Sequence, residues 1–285
     1  MATFYNQATL SYNGNTTTSN ITTGELIEAL SALHTPILDT YSKDDEITFV
    51  LSIVNSSATP YNGLNVSFDL GNYQFGRATG LVPLTYIPDS LKYYINGTLQ
   101  PAPAVTAGPP LNVSSVSVPA NGNTIIIYKT LVNEFAPLEP GATITNTAII
   151  SGGGLAENIT APAVITAENS AILGISKSIS PAVVSDNGQV TYTFVIQNTG
   201  NTAAAVSDNV VVTDTFTPAL SNLTVTLNDA PLTINTDYTY DETTGLFESV
   251  AGAITVPAAT FSQDAVTGEW NVTPGISILT ITGII

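Results

Sequence analysis

Two ten-residue stretches set the pattern of this chain. Residues 46–55 (EITFVLSIVN) and 189–198 (QVTYTFVIQN) alternate apolar and polar positions and are rich in β-branched and aromatic types. That period of two is the mark of a half-buried strand. Similar runs predict strands at 64–69, 91–96, 124–132, 143–150, 209–214, 223–228 and 276–285. Asn96-Gly97, Asn121-Gly122 and Asn187-Gly188 read as hairpin-type turns. One stretch, 24–33 (GELIEALSAL), matches either period. It reads as strand because its counterpart in an internal repeat contains proline and is β-like.

Self-comparison brings out that repeat. Residues 30–55 match 173–198 without a gap, in a strand, a turn and then [E/Q]-[I/V]-T-[F/Y]-x-x-x-I-x-N. Val66–Leu70 (VSFDL) aligns with Val211–Thr215 (VVTDT), which places Asp69 opposite Asp214. Thr124–Val132 (TIIIYKTLV) matches Ser277–Ile285 (SILTITGII). After TIIIYKTLV the first copy continues into a further hairpin at about 143–167, which the second copy does not reach. Residues 5–28 resemble that hairpin instead: Asn6 aligns with Asn146, Ala8 with Ala148, and Asn20-Ile21-Thr22 with Asn158-Ile159-Thr160. The expected organisation is therefore a donor hairpin at 1–28, a first β-sandwich repeat at 29–168, and a second repeat at 169–285 that lacks its last hairpin.

A sandwich without its last strand exposes unpaired backbone groups and an uncovered core face. Residues 2–28 either fold back to close the same chain or complete a neighbour. Head-to-tail completion of a neighbour generates an open filament. The first repeat stands between the two ends, which disfavours closure within one chain. The groove is expected between the final strand at 276–285 and the first strand of the second repeat near 173–179.

Composition narrows the class. Only 9% of residues are charged, and five cations face 22 carboxylates for a net charge of −17. Such a chain lacks the cations to neutralise phosphates, which argues against nucleic acid and anionic membrane as partners. With no cysteine and one histidine, His34, thiol chemistry and multi-histidine metal sites are excluded, and no cofactor or metal is expected. The acidic runs Asp44-Asp45-Glu46 and Asp237…Asp241-Glu242 lack the spacing of a calcium loop and read as turn carboxylates. Asn-x-Ser/Thr sequons, as at Asn15, Asn20, Asn96 and Asn222, arise by chance in so Asn- and Thr-rich a chain. The single tryptophan, Trp270, offers no sugar platform, and Tyr192, Tyr238 and Tyr240 read as cross-strand packing. No signal peptide or membrane-spanning run is visible. The surface-protein composition implies a removed leader or release by lysis. No nucleophile–base pair is apparent, so no enzyme is expected.

The run KSxSP at 177–181, TYTFVIQNTGN at 191–201, VVVTDT at 210–215 and ITNTA at 144–148 resembles the bacterial "conserved repeat" domain of Gram-positive surface proteins. The resemblance implies an immunoglobulin-like or collagen-adhesin-like β-sandwich. Two such repeats in one chain are also similar to the major proteins of clostridial spore appendages, which implies a spore-surface or extracellular filament. The alternative is an adhesin-type module, closed on itself, that binds a host or matrix ligand.

Some adhesin-like sandwiches join a first-strand Lys to a last-strand Asn as a spontaneous isopeptide, assisted by a buried carboxyl group. The resemblance points to Lys177 and Asp214 in the second repeat, with Asn6 on the donated hairpin supplying the amide. The first repeat has Asp69 and Asn146, but His34 stands where Lys177 stands in the second, so that repeat cannot form the bond.

Overall fold

The computed structural model describes residues 2–26 and 29–285, and the chain is all-β. A 3-10 turn at Val206–Asp208 is the one helical element among the described residues. The ambiguous segment forms strands at Thr22–Leu26 and Leu30–Pro36. Positions 27 and 28 of that expectation lie outside the described residues.

The first repeat is a sandwich of two sheets. One runs Thr98–Gln100, Lys92–Ile95, Gly122–Val132, Glu46–Asn55, Leu30–Pro36. The other runs Ala104–Thr106, Leu111–Val118, Tyr61–Phe68, Thr143–Gly152, Ile159–Ala167, Thr40–Tyr41. Alternation decides what lies between them. Ile47, Phe49, Leu51 and Ile53 point inward and are fully buried against Val66, Phe68, Ile126 and Ile150. The buried hydrophobic surface supplies most of the stabilisation, while the strand ladders satisfy the buried backbone.

The second repeat builds the same first sheet, ordered Leu173–Ser180, Gln189–Asn198, Gly275–Ile284, Ser221–Leu227, Ala230–Pro231. Its second sheet has three strands: Thr213–Thr215, Leu246–Ser249, Tyr238–Asp241. The terminal asparagine of the repeated I-x-N has the same task in both copies. Asn55 donates to the carbonyls of Thr59 and Pro119 at 2.8 and 2.9 Å, and Asn198 to those of Thr202 and Pro257 at 2.7 and 3.0 Å. Each is buried and ties its strand end to loops of the opposite sheet.

Three expectations need correction. The strand expected at 209–214 is only Thr213–Thr215, after a 3-10 turn whose left-handed Asn209 cap redirects the chain. Asn121-Gly122 does not close a hairpin, because Leu111–Val118 and Gly122–Val132 belong to different sheets. The final strand does not border a groove either. Gly275–Ile284 pairs with Gln189–Asn198 on one side and Ser221–Leu227 on the other, so it is central.

An extra hairpin, Thr260–Gln263 with Trp270–Thr273, leaves the second repeat and docks on the first. The Trp270 N–H donates to the Glu134 carbonyl at 3.0 Å. Gln263 Nε2 and Trp270 Nε1 both donate to the Tyr73 hydroxyl, at 2.6 and 3.3 Å, which in turn donates to the Phe135 carbonyl at 2.6 Å. Gly268, at φ +79°, lies so close to Leu81 that a Cβ there would come within 2.4 Å of its methyl carbon.

Candidate functional site

In the first repeat, the hairpin Thr143–Gly152/Ile159–Ala167 pairs with the edge of Tyr61–Phe68 and covers the inner face of Leu30–Pro36. Leu30 and His34 are 3% and 2% exposed as a result. Residues 173–180 occupy the corresponding place in the second repeat, yet every one of them is exposed. Pairing with Asn198, Ile196, Phe194 and Tyr192 aims Leu173, Ile175, Lys177 and Ile179 inward. Leu173, Ile175 and Ile179 nevertheless remain 40%, 58% and 42% exposed. Thr213–Thr215, the neighbouring edge, pairs only with Leu246–Ser249 among the described residues. Val183, at the repeat position of the exposed Thr40, is exposed as well. Thr40–Tyr41 pairs in parallel with Thr166–Ala167 at the end of the covering hairpin. Two surfaces that the first repeat covers, the inner face of the first strand and the edge beside it, are thus open in the second and border an apolar groove.

Lys177 stands in this groove. Its ammonium forms an ion pair with Asp214 and lies over the rings of Tyr192, Phe216 and Phe194 at 4.5, 5.1 and 5.3 Å from the centroids. Rings that face a cation in a partly closed site hold it by their quadrupoles and exclude water from its stem. Asp214 also accepts the Thr215 N–H through its other oxygen at 2.9 Å. Lys177 and Asp214 are therefore brought together. Asn6 is not: it is exposed on the N-terminal hairpin, and its carbonyl accepts the Thr22 hydroxyl at 3.2 Å.

The first repeat shows how the same place looks when covered. His34 Nδ1 faces the Asn146 carbonyl at 3.1 Å and Nε2 faces the Tyr128 hydroxyl at 3.1 Å. Asn146 Nδ2 donates to that hydroxyl at 2.8 Å, and Asn146 Oδ1 accepts the Leu70 N–H at 3.2 Å. The network assigns the tautomer. Nδ1 carries the proton for the carbonyl, and Nε2 accepts from a tyrosine that already receives the Asn146 amide. Burial, the largest influence, lowers the His34 pKa to about 4, and it pushes the Tyr128 hydroxyl well above its ordinary value. Phe49 and Phe68 flank the imidazole at 5.3 and 5.4 Å. The place taken by Lys177 in one repeat is thus a packed, neutral hydrogen-bond centre in the other.

The two aspartates, aligned by sequence, hold different partners. Asp69 Oδ1 accepts the N–H groups of Thr147 and Gly71 at 2.8 and 3.0 Å, tying the strand end to the covering hairpin beside Asn146. Sequence reading gave no role to Tyr128. The one available signal is that it is the sole aromatic in an otherwise aliphatic and polar run, TIIIYKTLV. It also missed Phe216 and Phe194 beside Lys177, and read Tyr192 only as packing. Tyr192 does pack, 4.8 Å from Phe216, but under the ammonium. Trp270 and Tyr73 serve the joint between repeats.

The acidic runs act within their own turns. Asp45 accepts the Ser42 N–H at 2.7 Å, Asp237 that of Thr233 at 2.7 Å and Asp241 that of Thr243 at 2.8 Å. The Thr243 N–H holds the Asp241 carboxyl below its usual range. Among the described residues no three His, Cys, Asp or Glu side chains form a metal-binding group.

No family model and no curated protein matches this chain. Distant similarity to solved structures exists. A D312A form of BcpA, the major pilin subunit of Bacillus cereus, is 14% identical at a TM-score of 0.39, over 69% of this chain and 66% of that one. The RrgB pilus backbone of Streptococcus pneumoniae is 13% identical at 0.32, over 86% and 55%. A family 123 glycoside hydrolase of Clostridium perfringens is 11% identical at 0.30, over 50% and 28%. The chain thus spans less than two thirds of the length of each of these proteins. All three likenesses are too distant to bear on function, which rests on the geometry above.

Proposed function

We propose that this chain is a structural subunit of an extracellular or spore-surface filament that polymerises head to tail. The occupant of the groove in the second repeat is residues 2–28 of another copy. One observation carries the reading. The inner face of Leu173–Ser180 is open where its counterpart Leu30–Pro36 is covered by a hairpin, and the N-terminal residues resemble that covering hairpin in sequence. Within the described residues, Ala2–Asn6 pairs with Thr22–Leu26 and Thr9–Tyr12 with Asn15–Thr18, and neither ladder joins another sheet. Closure within one chain, as an adhesin module would have it, draws no support from that arrangement. A donated hairpin would add a strand to the Thr213–Thr215 edge and cover Ile175 and Ile179, a case of β-augmentation.

Docked as Asn146 docks in the first repeat, Asn6 would lie against Lys177. The neutral Lys177 amine would attack the Asn6 side-chain carbonyl carbon, forming a new amide. The former amide nitrogen would leave as ammonia, taking its third proton from the amine through Asp214. The ion pair of Lys177 and Asp214 holds the proton inventory this step needs, since transfer within the pair yields amine and acid together. His34 has no amine that could form an amide, so the covering hairpin of the first repeat is held by packing and hydrogen bonds, and the joint between subunits by a covalent bond. Electron microscopy of the purified chain tests the assembly. Filaments that vanish when residues 1–28 are deleted support it, and filaments that persist after the deletion refute it.

A further inference from the structure

The N-terminal hairpin is not paired as its counterpart in the first repeat is paired. There, Asn146 stands opposite Ala163 and Ala148 opposite Ala161, and all four are buried. Carried over by the sequence match, this register puts position 25 opposite Asn6 and position 23 opposite Ala8. In the free hairpin Asn6 stands opposite Thr22 and Tyr5 opposite Thr23. The offset is three residues in this outer ladder and four in the inner one, where Thr9 stands opposite Thr18. Because side chains alternate faces, an odd offset turns one strand over relative to the other. Asn6 now shares a face with Thr22, whose counterpart Thr160 is exposed in the first repeat. Neither face of the outer ladder presents the inward residues of both strands.

The turn explains the register of the inner ladder. Asn13 and Gly14 have φ of +46° and +77°, and Tyr12 and Asn15 flank them as a pair. This is the two-residue primed turn that Asn-Gly favours, and it locks the register of the strands it joins. Ser19 reinforces it from the other end: its hydroxyl accepts the Ala8 N–H at 2.9 Å, and its carbonyl accepts Gln7 Nε2 at 2.8 Å. The counterpart hairpin closes differently, through a loop between Gly152 and Ile159. With no core to set its register, the free hairpin takes the one its turn dictates over Thr9–Tyr12 and Asn15–Thr18, and a one-residue bulge, residues 7–8 against 19–21, sets the register of Ala2–Asn6 with Thr22–Leu26.

We infer that the Asn13–Gly14 turn holds the donor hairpin in a register that cannot dock. Its strands must part and re-pair three to four residues along before a second copy of this chain can accept them. The turn is a brake on polymerisation, keeping fresh subunits apart and making strand opening at the filament end the slow step. This inference rests on the reading that the hairpin fills the groove of another copy.

Two variants test it, using filament growth of the full chain followed by light scattering. In the first, Thr9→Cys with Thr18→Cys places the chain's sole thiols on directly opposed residues, so that oxidation locks the free register. Growth should fall more than tenfold when oxidised and recover on reduction. In the second, Asn13→Ala with Gly14→Ala disfavours both positive φ angles, and growth should start severalfold sooner. Oxidised chains that grow as fast as wild type, or an unchanged onset in the turn variant, would overturn the inference while leaving donation standing. Filaments from chains lacking residues 1–28 would overturn donation itself.

Discussion

His34 and Lys177 hold one and the same place in the two repeats: His34 pairs with Leu51 and Lys177 with Phe194, on strands that align without a gap. Around the first, a hairpin closes and every polar atom finds a partner. Around the second, among the described residues, no hairpin lies, and the ammonium meets Asp214 and aromatic rings. That contrast is what the proposed donation of a hairpin to the second repeat rests on.

Replacing Lys177 by Arg keeps the charge for Asp214 but removes the nucleophile. Filaments of Lys177→Arg should still assemble, and should fall to monomers in boiling denaturant where the wild type leaves a ladder. Mass spectrometry of wild-type filaments should show one ammonia lost for each joint. A clean monomer band from wild-type filaments would contradict the covalent bond.

His34 makes the first repeat sensitive to acid. Its pKa is about 4 in the folded chain, against 6.5 for the free side chain. Between those values the unfolded chain binds a proton that the folded chain does not, so stability falls as pH drops. Above 6.5 the penalty is absent, and below about 4 it is complete, on the order of 3 kcal/mol. Denaturant unfolding from pH 7 to 4 should show the fall, and His34→Leu should flatten it. An unchanged slope in His34→Leu would place the sensitivity elsewhere.

Asn146 binds the Tyr128 hydroxyl and the Leu70 N–H at full burial. Asn146→Ala strands both groups and should destabilise the first repeat by about 3 kcal/mol. Asn6→Ala, on an exposed hairpin, should leave monomer stability unchanged and affect only the filament. Comparing the two by thermal unfolding separates a structural asparagine from a joining one.

Tyr73 gathers on one oxygen two hydrogen bonds that cross the joint between repeats and one that anchors it within the first. Tyr73→Phe should weaken that joint by about 2 kcal/mol and speed proteolysis of the connection at 168–172, with both sandwiches still folded. Proteolysis at the wild-type rate would show that the backbone bond from Trp270 to Glu134 suffices.

Much of this was legible in the sequence because the repeat supplied an internal standard. The gapless match of 30–55 with 173–198 located Lys177, and VVTDT brought Asp214 beside it. Period-two alternation, however, says which residues face inward and not which strand is central. Gly275–Ile284, with Leu279 and Ile281 buried and Ile276 and Ile278 exposed, reads the same in either position, so alternation alone cannot say on which side of it a groove lies. Tyr128 was opaque because its aligned partner, Ile281, carries no polar atom to betray a network. The hairpin at 260–273 was opaque because Gln263 finds Tyr73 across 190 residues of chain.

The most direct test of head-to-tail donation is hydrogen exchange on the chain lacking residues 1–28, with and without a synthetic peptide of residues 2–28. Donation predicts that the peptide slows exchange along Leu173–Ser180 and Thr213–Thr215 and leaves Leu30–Pro36 as it was. Unchanged exchange along those two strands at saturating peptide would contradict it.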